Sequence, residues 1–272
     1  MEHDIELAYV GIETADPAAI NRYLGEIIGL QPGAPTVGGH ATWRADHKAQ
    51  RVIVQPGSRE DAAYVGFEAV NAAAFERTRA SLAQAGFVLA EGSAADCAER
   101  RVNRLLRSRA PWGVQVELAL GLAEAPEPFH SPYFPQGFVT RGQGFGHAVF
   151  TVGTEADYQA AIAFARALGL RLSDWLDMAA GPGRLQASFF HCNPRHHSLA
   201  VAFVPIGEVP QRLHHINFEV TQVQWVGEAC ERALQAGAPI ANLIGQHDND
   251  GMVSFYSVSP GGWQVEIGAT GR

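Results

Sequence analysis

The chain has 272 residues, of which 47% are apolar and 18% charged, and its formal net charge is −8 at pH 7. That length can bury one large core or two ordinary ones. The negative balance excludes nucleic acid as the main partner, because phosphate binding needs a basic face.

The opening MEHDIELAYVGIE lacks a basic region followed by an apolar one, so no secretory leader is expected. No apolar run approaches the roughly 18 residues of a membrane helix. Cys97, Cys192 and Cys230 form no CxxC pair and are odd in number. A cytoplasmic protein without disulfides is therefore expected, with Cys192 as a buried structural thiol.

One supersecondary unit recurs along the chain. LAYVGIETAD starts at Leu7, AAYVGFEAVN at Ala62, FGHAVFTVGT at Phe145 and LHHINFEVTQ at Leu213. Each alternates apolar positions as a strand does, then gives a polar turn and a segment of helical period. The helices read AAINRYLGEIIG, AAAFERTRASLAQAG, YQAAIAFARALG and VGEACERALQAG, ending on Gly29, Gly86, Gly169 and Gly237. Glycine is the expected left-handed residue at a helix C-terminus. Strand-rich stretches follow each helix: QRVIVQPG, WGVQVELALG, HSLAVAFV, and VSFYSV with WQVEIG.

The predicted fold is therefore α+β: four βαβββ modules paired into two domains of mixed, mostly antiparallel, barrel-like sheets. The expected division is an N-terminal paired-module domain over 1–124 and a C-terminal catalytic domain over 138–272. The Pro-rich EAPEPFHSPYFPQG lies between them.

The modules differ at one strand position. Tyr9 and Tyr64 occupy it in the first half, His147 and His215 in the second. The even modules both end on an acid, Glu117 in VQVE and Glu266 in WQVE. Taken singly, a strand histidine is more often a core or surface residue than a ligand. Glu266 lies between Val265 and Ile267, and a carboxylate in such a setting is costly without a partner. The equivalence of the three positions points to a metal. Two imidazoles and one carboxylate leave coordination positions open, as in non-haem Fe(II) oxygenases, and also suit zinc and manganese.

GFGHAVF, FFHCNPRHHSLAVAF, RLHHINFEV and GQHDNDGMVSFYSVSPGGWQVEIG resemble the type I extradiol dioxygenases of the vicinal oxygen chelate superfamily. ATWRADHKAQRVIVQ and AYVGFE carry the likeness into the first half, so it runs from the first strand to Glu266. The resemblance implies Fe(II), with Mn(II) as the alternative, on His147, His215 and Glu266. It implies His197 as the acid–base residue, with His247 and Tyr256 exchanging protons at a ring hydroxyl. Asn249, Asp250, His214, Phe189, Val149 and Ala202 would line the substrate site.

The implied reaction is extradiol cleavage of a 2,3-dihydroxybiphenyl-like catechol by O2, in a homo-oligomer that binds neither nucleic acid nor membrane. Rival readings are a Mn(II) dioxygenase, a glyoxalase-like isomerase, or a non-enzymatic module that binds aromatic ligands. The last has no need of a metal.

Other features give narrower expectations. Gln50 stands where His197 would be in the first half, so that half is expected to bind no iron. His191 and His196 are expected to be structural or surface residues, and His3, His40, His47 and His130 to lie in solvent. Three departures from the family pattern bear on the pocket: Gly251, which would loosen its floor, Ser259, and the six residues after Glu266 where relatives carry a covering tail.

Overall fold

A computed structural model describes residues 3–180 and 183–272. Residues 1 and 2 of the expected first domain lie outside the described residues.

The first half contains β1 (Ile5–Thr14), β2 (Gln31–Pro32), β3 (Ala41–Arg44), β4 (Val52–Pro56), β5 (Asp61–Ala69), β6 (Ala90–Glu91), β7 (Arg104–Arg109) and β8 (Gln115–Leu120). Its helices are α1 (Pro17–Arg22), which continues as a π-helical turn over Tyr23–Ile28, α2 (Ala72–Gln84) and α3 (Ala94–Arg100). The second half contains β9 (Ala148–Val152), α4 (Glu155–Ala167), β10 (Arg171–Ala180), β11 (Gly183–His191), β12 (Leu199–Phe203), β13 (Leu213–Val220), α5 (Val223–Gln235), β14 (Ile240–Gln246), β15 (Val253–Val258) and β16 (Gln264–Ala269).

The strands form two eight-stranded sheets with the same order: β2-β3-β4-β1-β5-β8-β7-β6 and β10-β11-β12-β9-β13-β16-β15-β14. Within a module the first strand runs parallel to the last, as β9 does to β12 and β13 to β16. The two modules of a sheet join through an antiparallel central pair, β1 with β5 and β9 with β13. This is the expected βαβββ arrangement, four times over, in two mixed sheets.

Local signals explain the helices. The side chains of Asp16, Asn71 and Thr154 cap the first turns of α1, α2 and α4, satisfying amides that have no partner within the helix. Gly29, Gly86, Gly169 and Gly237 all have positive φ, as the helix stops require. Helix α3 was not anticipated. A reciprocal cap between Ser93 and Asp96 starts it, yet none of its residues is buried, so it carries no apolar stripe.

One continuous apolar core spans both sheets. Trp112 stacks on Phe150 with ring centroids 5.6 Å apart, and Tyr23 meets Trp263 edge-on at 6.3 Å. Asp61 adds a polar tie, accepting from the amides of Arg212 and Leu213 at 2.6 and 2.8 Å. The strand face that carries the histidines is thereby fixed from behind.

Candidate metal centre

His147 immediately precedes β9, and its carbonyl accepts from the Asn217 amide at 2.8 Å. Gly146 makes this crossing feasible: a Cβ there would lie 1.9 Å from the Asn217 carbonyl oxygen. His215 lies on β13. The pairing of β13 with β9 shifts register between Leu213 and His215, so the bulge leaves His214 exposed and buries its neighbour. Glu266 lies on β16, opposite Asn217 on one side and Tyr256 on the other.

The three side chains converge. His147 Nε2 stands 3.1 Å from His215 Nε2 and 2.9 Å from Glu266 Oε2, while His215 Nε2 stands 3.6 Å from that same oxygen. Ligands about 2.1 Å from one ion stand roughly 3.0–3.4 Å apart when neighbouring. The observed separations bracket that range.

The site also has an unmet electrostatic need. Glu266 is 0% exposed, and neither of its oxygens accepts a hydrogen bond among the described residues. A buried carboxylate without donors costs several kcal/mol, and a divalent cation removes that cost. Burial holds the His147 imidazole down to about 3, and keeps His215 and His197 well below their ordinary value. Neutral imidazoles are the form that binds metal. The residues present therefore fit a divalent ion with three protein ligands and open positions.

The expected acid–base groups surround this centre. The ring of His197 lies 3.8 Å from that of His147, inclined by 31°. Tyr256 Oη and His247 Nε2 are 3.2 Å apart. His247 Nδ1 lies 3.4 Å from Asp250 Oδ1, and this contact raises the imidazole above its ordinary value. Asp250 Oδ1 also accepts from the Met252 amide at 2.9 Å.

A cavity of about 420 Å³ opens over these groups. Asn249, Asp250, His214, Phe189, Val149 and Ala202 all line it, together with His147, His197, His215, His247 and Tyr256. Sequence reasoning missed Asp174, Trp175 and Leu176 from β10, Ala187 and Ala200, and Asp248. The alanines could have been found by register, since Ala187 pairs with Ala202, Phe189 with Ala200, and Ala200 with Val149. Together they form one smooth apolar wall.

Two expectations need correction. Gly251 does not line the cavity; its φ of 71° shows that it closes a left-handed turn, which glycine adopts without a steric penalty. His40 is not free in solvent, because Nδ1 pairs with Glu99 Oε1 at 2.8 Å. His47 and His130 are exposed, whereas His3, His191 and His196 are half-buried. Cys192 is buried, which pushes its thiol up to about 12.

The matching place in the first sheet holds an organic cation instead. Tyr64 pairs with Gln115 and Gly66 with Glu117, as His215 pairs with Gln264 and Asn217 with Glu266. Arg100 donates to both oxygens of Glu117, Nε–Oε2 at 2.9 Å and Nη2–Oε1 at 3.1 Å. Tyr9 Oη and Gln115 Nε2 complete the shell at 2.8 and 2.7 Å. Gln50, two residues before Val52 as His197 is before Leu199, bonds the Arg100 carbonyl at 2.9 Å.

Known proteins share these features. The pattern of the Glyoxalase/Bleomycin resistance protein/Dioxygenase superfamily matches residues 144–267, and that of Dihydroxybiphenyl dioxygenase BphC D1 matches residues 7–57. The biphenyl-2,3-diol 1,2-dioxygenase of Pseudomonas sp. (strain KKS102) is 40% identical over 269 residues, 96% of this chain and 88% of that protein. An iron-dependent extradiol dioxygenase of Rhodococcus jostii (strain RHA1) is 35% identical, covering 98% of this chain and 89% of that protein. The crystal structure of BphC, a halotolerant catechol dioxygenase, superposes with a TM-score of 0.87 at 33% identity, over 99% of this chain and 88% of that one. The chain belongs to the extradiol dioxygenase family of the Glyoxalase/Bleomycin resistance protein/Dioxygenase superfamily.

Proposed function

We infer that this protein is an extradiol dioxygenase that opens the ring of a 2,3-dihydroxybiphenyl-like catechol with both atoms of O2. One observation carries the reading: the buried, donor-free carboxylate of Glu266 facing the Nε2 atoms of His147 and His215. The relatives' names support the substrate class and the use of iron.

Fe(II) in this site would bind both reactants and lift the spin restriction on reaction between a catechol and O2. The protein's own groups supply the rest. His147, His215 and Glu266 would hold the ion, and the carboxylate would offset one of its two charges. The hydrogen-bonded pair of His247 Nε2 and Tyr256 Oη takes up a proton from a ring hydroxyl. His197 Nδ1 faces Asp250, 4.0 Å from Oδ2, which leaves Nε2 to hold and return a proton over the reacting carbons. The wall of Val149, Ala187, Phe189, Ala200 and Ala202 excludes water, and its small alanines leave room for a second ring.

Within this proposal, residues 138–272 carry the chemistry and residues 1–124 form its structural support. Among the described residues, no helix is long and apolar enough to cross a membrane. Homo-oligomerisation belongs to the same proposal, supported by the exposed Trp175 and Met178 of edge strand β10.

The deciding experiment loads the protein with Fe(II) anaerobically and mixes it with 2,3-dihydroxybiphenyl in air. A yellow ring-opened product is expected. Absence of product with this and monocyclic catechols would reject the reading.

A further inference from the structure

A second set of metal-binding atoms lies beside the first. His196 Nδ1 is 3.1 Å from His197 Nδ1, which is 4.0 Å from Asp250 Oδ2. These three atoms all lie within 4.8 Å of one another, and His197 and Asp250 are buried. His196 does not line the substrate cavity.

A hydrogen bond between two neutral imidazoles accounts for the 3.1 Å contact alone. It does not account for Asp250. That carboxylate spends Oδ1 on the Met252 amide and on His247, and turns Oδ2 toward His197 Nδ1. Two imidazole nitrogens and one carboxylate oxygen thus converge, and loss of the proton shared by the imidazoles would free both nitrogens for an ion.

The backbone holds the three donors in place. The His196 amide donates to the Arg272 carbonyl at 2.6 Å, and the Arg272 amide donates to the Asp250 carbonyl at 3.0 Å. Buried Arg195 pairs with Glu219 and donates through Nη2 to the Val139 carbonyl at 2.7 Å. Both loops that supply donors are therefore tied to Arg272, and little ordering remains for an incoming ion to impose.

We propose that His196, His197 and Asp250 form a second divalent-cation site, suited to zinc or cobalt, whose occupation silences His197. Two imidazoles and one carboxylate favour such borderline ions over magnesium or calcium, which seek mostly oxygen. An ion on Nδ1 takes the lone pair of that nitrogen and places positive charge on the ring. The neutral ring then carries its own proton on Nε2, which has no lone pair left to take up the proton it must return. The binding half of this inference is independent of the dioxygenase reading, and the silencing half rests on it.

Cobalt titration of the untagged, metal-free full chain under argon tests the binding half, read by equilibrium dialysis and visible absorption. Wild type should bind two ions per chain, His196→Ala one and His147→Ala one. If His196→Ala binds as many ions as wild type with similar affinity, the site does not exist. His196→Gln serves as the second variant, with circular dichroism confirming its fold.

The silencing half is read on Fe(II)-loaded enzyme challenged with zinc. The midpoint for inhibition should rise more than about tenfold in His196→Ala, while turnover without zinc stays close to wild type. An unchanged midpoint overturns the silencing assignment. If no catechol is cleaved at all, the dioxygenase reading fails and the cobalt stoichiometry alone decides the site.

Discussion

Arg100 grips Glu117 with two charge-assisted hydrogen bonds, at 2.9 and 3.1 Å, whereas Glu266 at the matching place in the second sheet accepts none. The same architecture thus places a buried acid twice, facing a guanidinium in the first sheet and two imidazole nitrogens in the second. In the first half the cation is covalently part of the chain: Arg100 ends α3, and its guanidinium also stacks 3.5 Å over the Tyr64 ring.

Arg100→Met should therefore destabilise the protein by about 3–5 kcal/mol, the usual cost of leaving one partner of a buried pair uncompensated. Glu117→Gln in the same background should recover part of the loss. Urea unfolding of the four proteins of that cycle gives the coupling. A loss below about 1 kcal/mol would mean the guanidinium is not what the buried acid requires.

Glu266 should behave in the opposite way. Without metal, Glu266→Gln removes a buried carboxylate that accepts no well-formed hydrogen bond, so the metal-free variant should be more stable than metal-free wild type, by about 1–3 kcal/mol. With metal the order should reverse, because an ion bound at 100 times its dissociation constant adds about 2.7 kcal/mol to wild type. Thermal melts with and without Fe(II) under argon, together with metal analysis, read both effects. A metal-free variant less stable than wild type would show that His147 Nε2, 2.9 Å from Oε2, donates to the carboxylate when no ion is bound.

His197 touches the centre without ligating it. Its ring lies 3.8 Å from that of His147, inclined by 31°, and Nδ1 faces Asp250. His197→Gln should lower kcat by about 10²–10⁴, the range for losing a general acid–base group. KM for the catechol and bound metal should stay nearly unchanged. Loss of iron in this variant would reassign the residue to holding the ion.

Much of this was legible in the sequence, for physical reasons that can be named. Alternation of period two and the recurring glycine stops exposed the modules. Substitution of Tyr9 and Tyr64 by His147 and His215 exposed the candidate metal centre, because a repeat makes a departure visible. Which member of the His214–His215 pair turns inward was not legible from alternation. The bulge between Leu213 and His215 settles it, and the bulge depends on pairing with β9. Helix α3 was missed because it buries nothing, and with it went Arg100 as the partner of Glu117. Trp175 and Leu176 lie on an edge strand whose pairing slips between Leu172 and Asp174, so their approach to the cavity depends on a register that one sequence does not contain.

Acid stability should reside largely in a different buried pair. Arg51, 1% exposed, donates through Nε to Asp46 Oδ1 at 3.0 Å and through Nη2 to Oδ2 at 2.6 Å. Burial opposes ionisation of Asp46, but the Arg51 charge and these hydrogen bonds outweigh it and hold the carboxyl below its ordinary value. A carboxyl depressed in the folded state contributes stability above its unfolded value of about 3.9, and that stability is lost as the pH falls through the folded value. The loss should therefore begin below about pH 4. Neighbouring Glu6 works with the opposite sign, since burial raises it despite Arg51, so its protonation as the pH falls favours the folded chain. The informative quantity is accordingly the difference between wild type and Asp46→Asn. That variant should be weaker by about 3–5 kcal/mol at neutral pH, and the gap should narrow on acidification below pH 4. A gap that stays constant from pH 7 to pH 3 in urea titrations would show that the Asp46 charge is not what Arg51 stabilises.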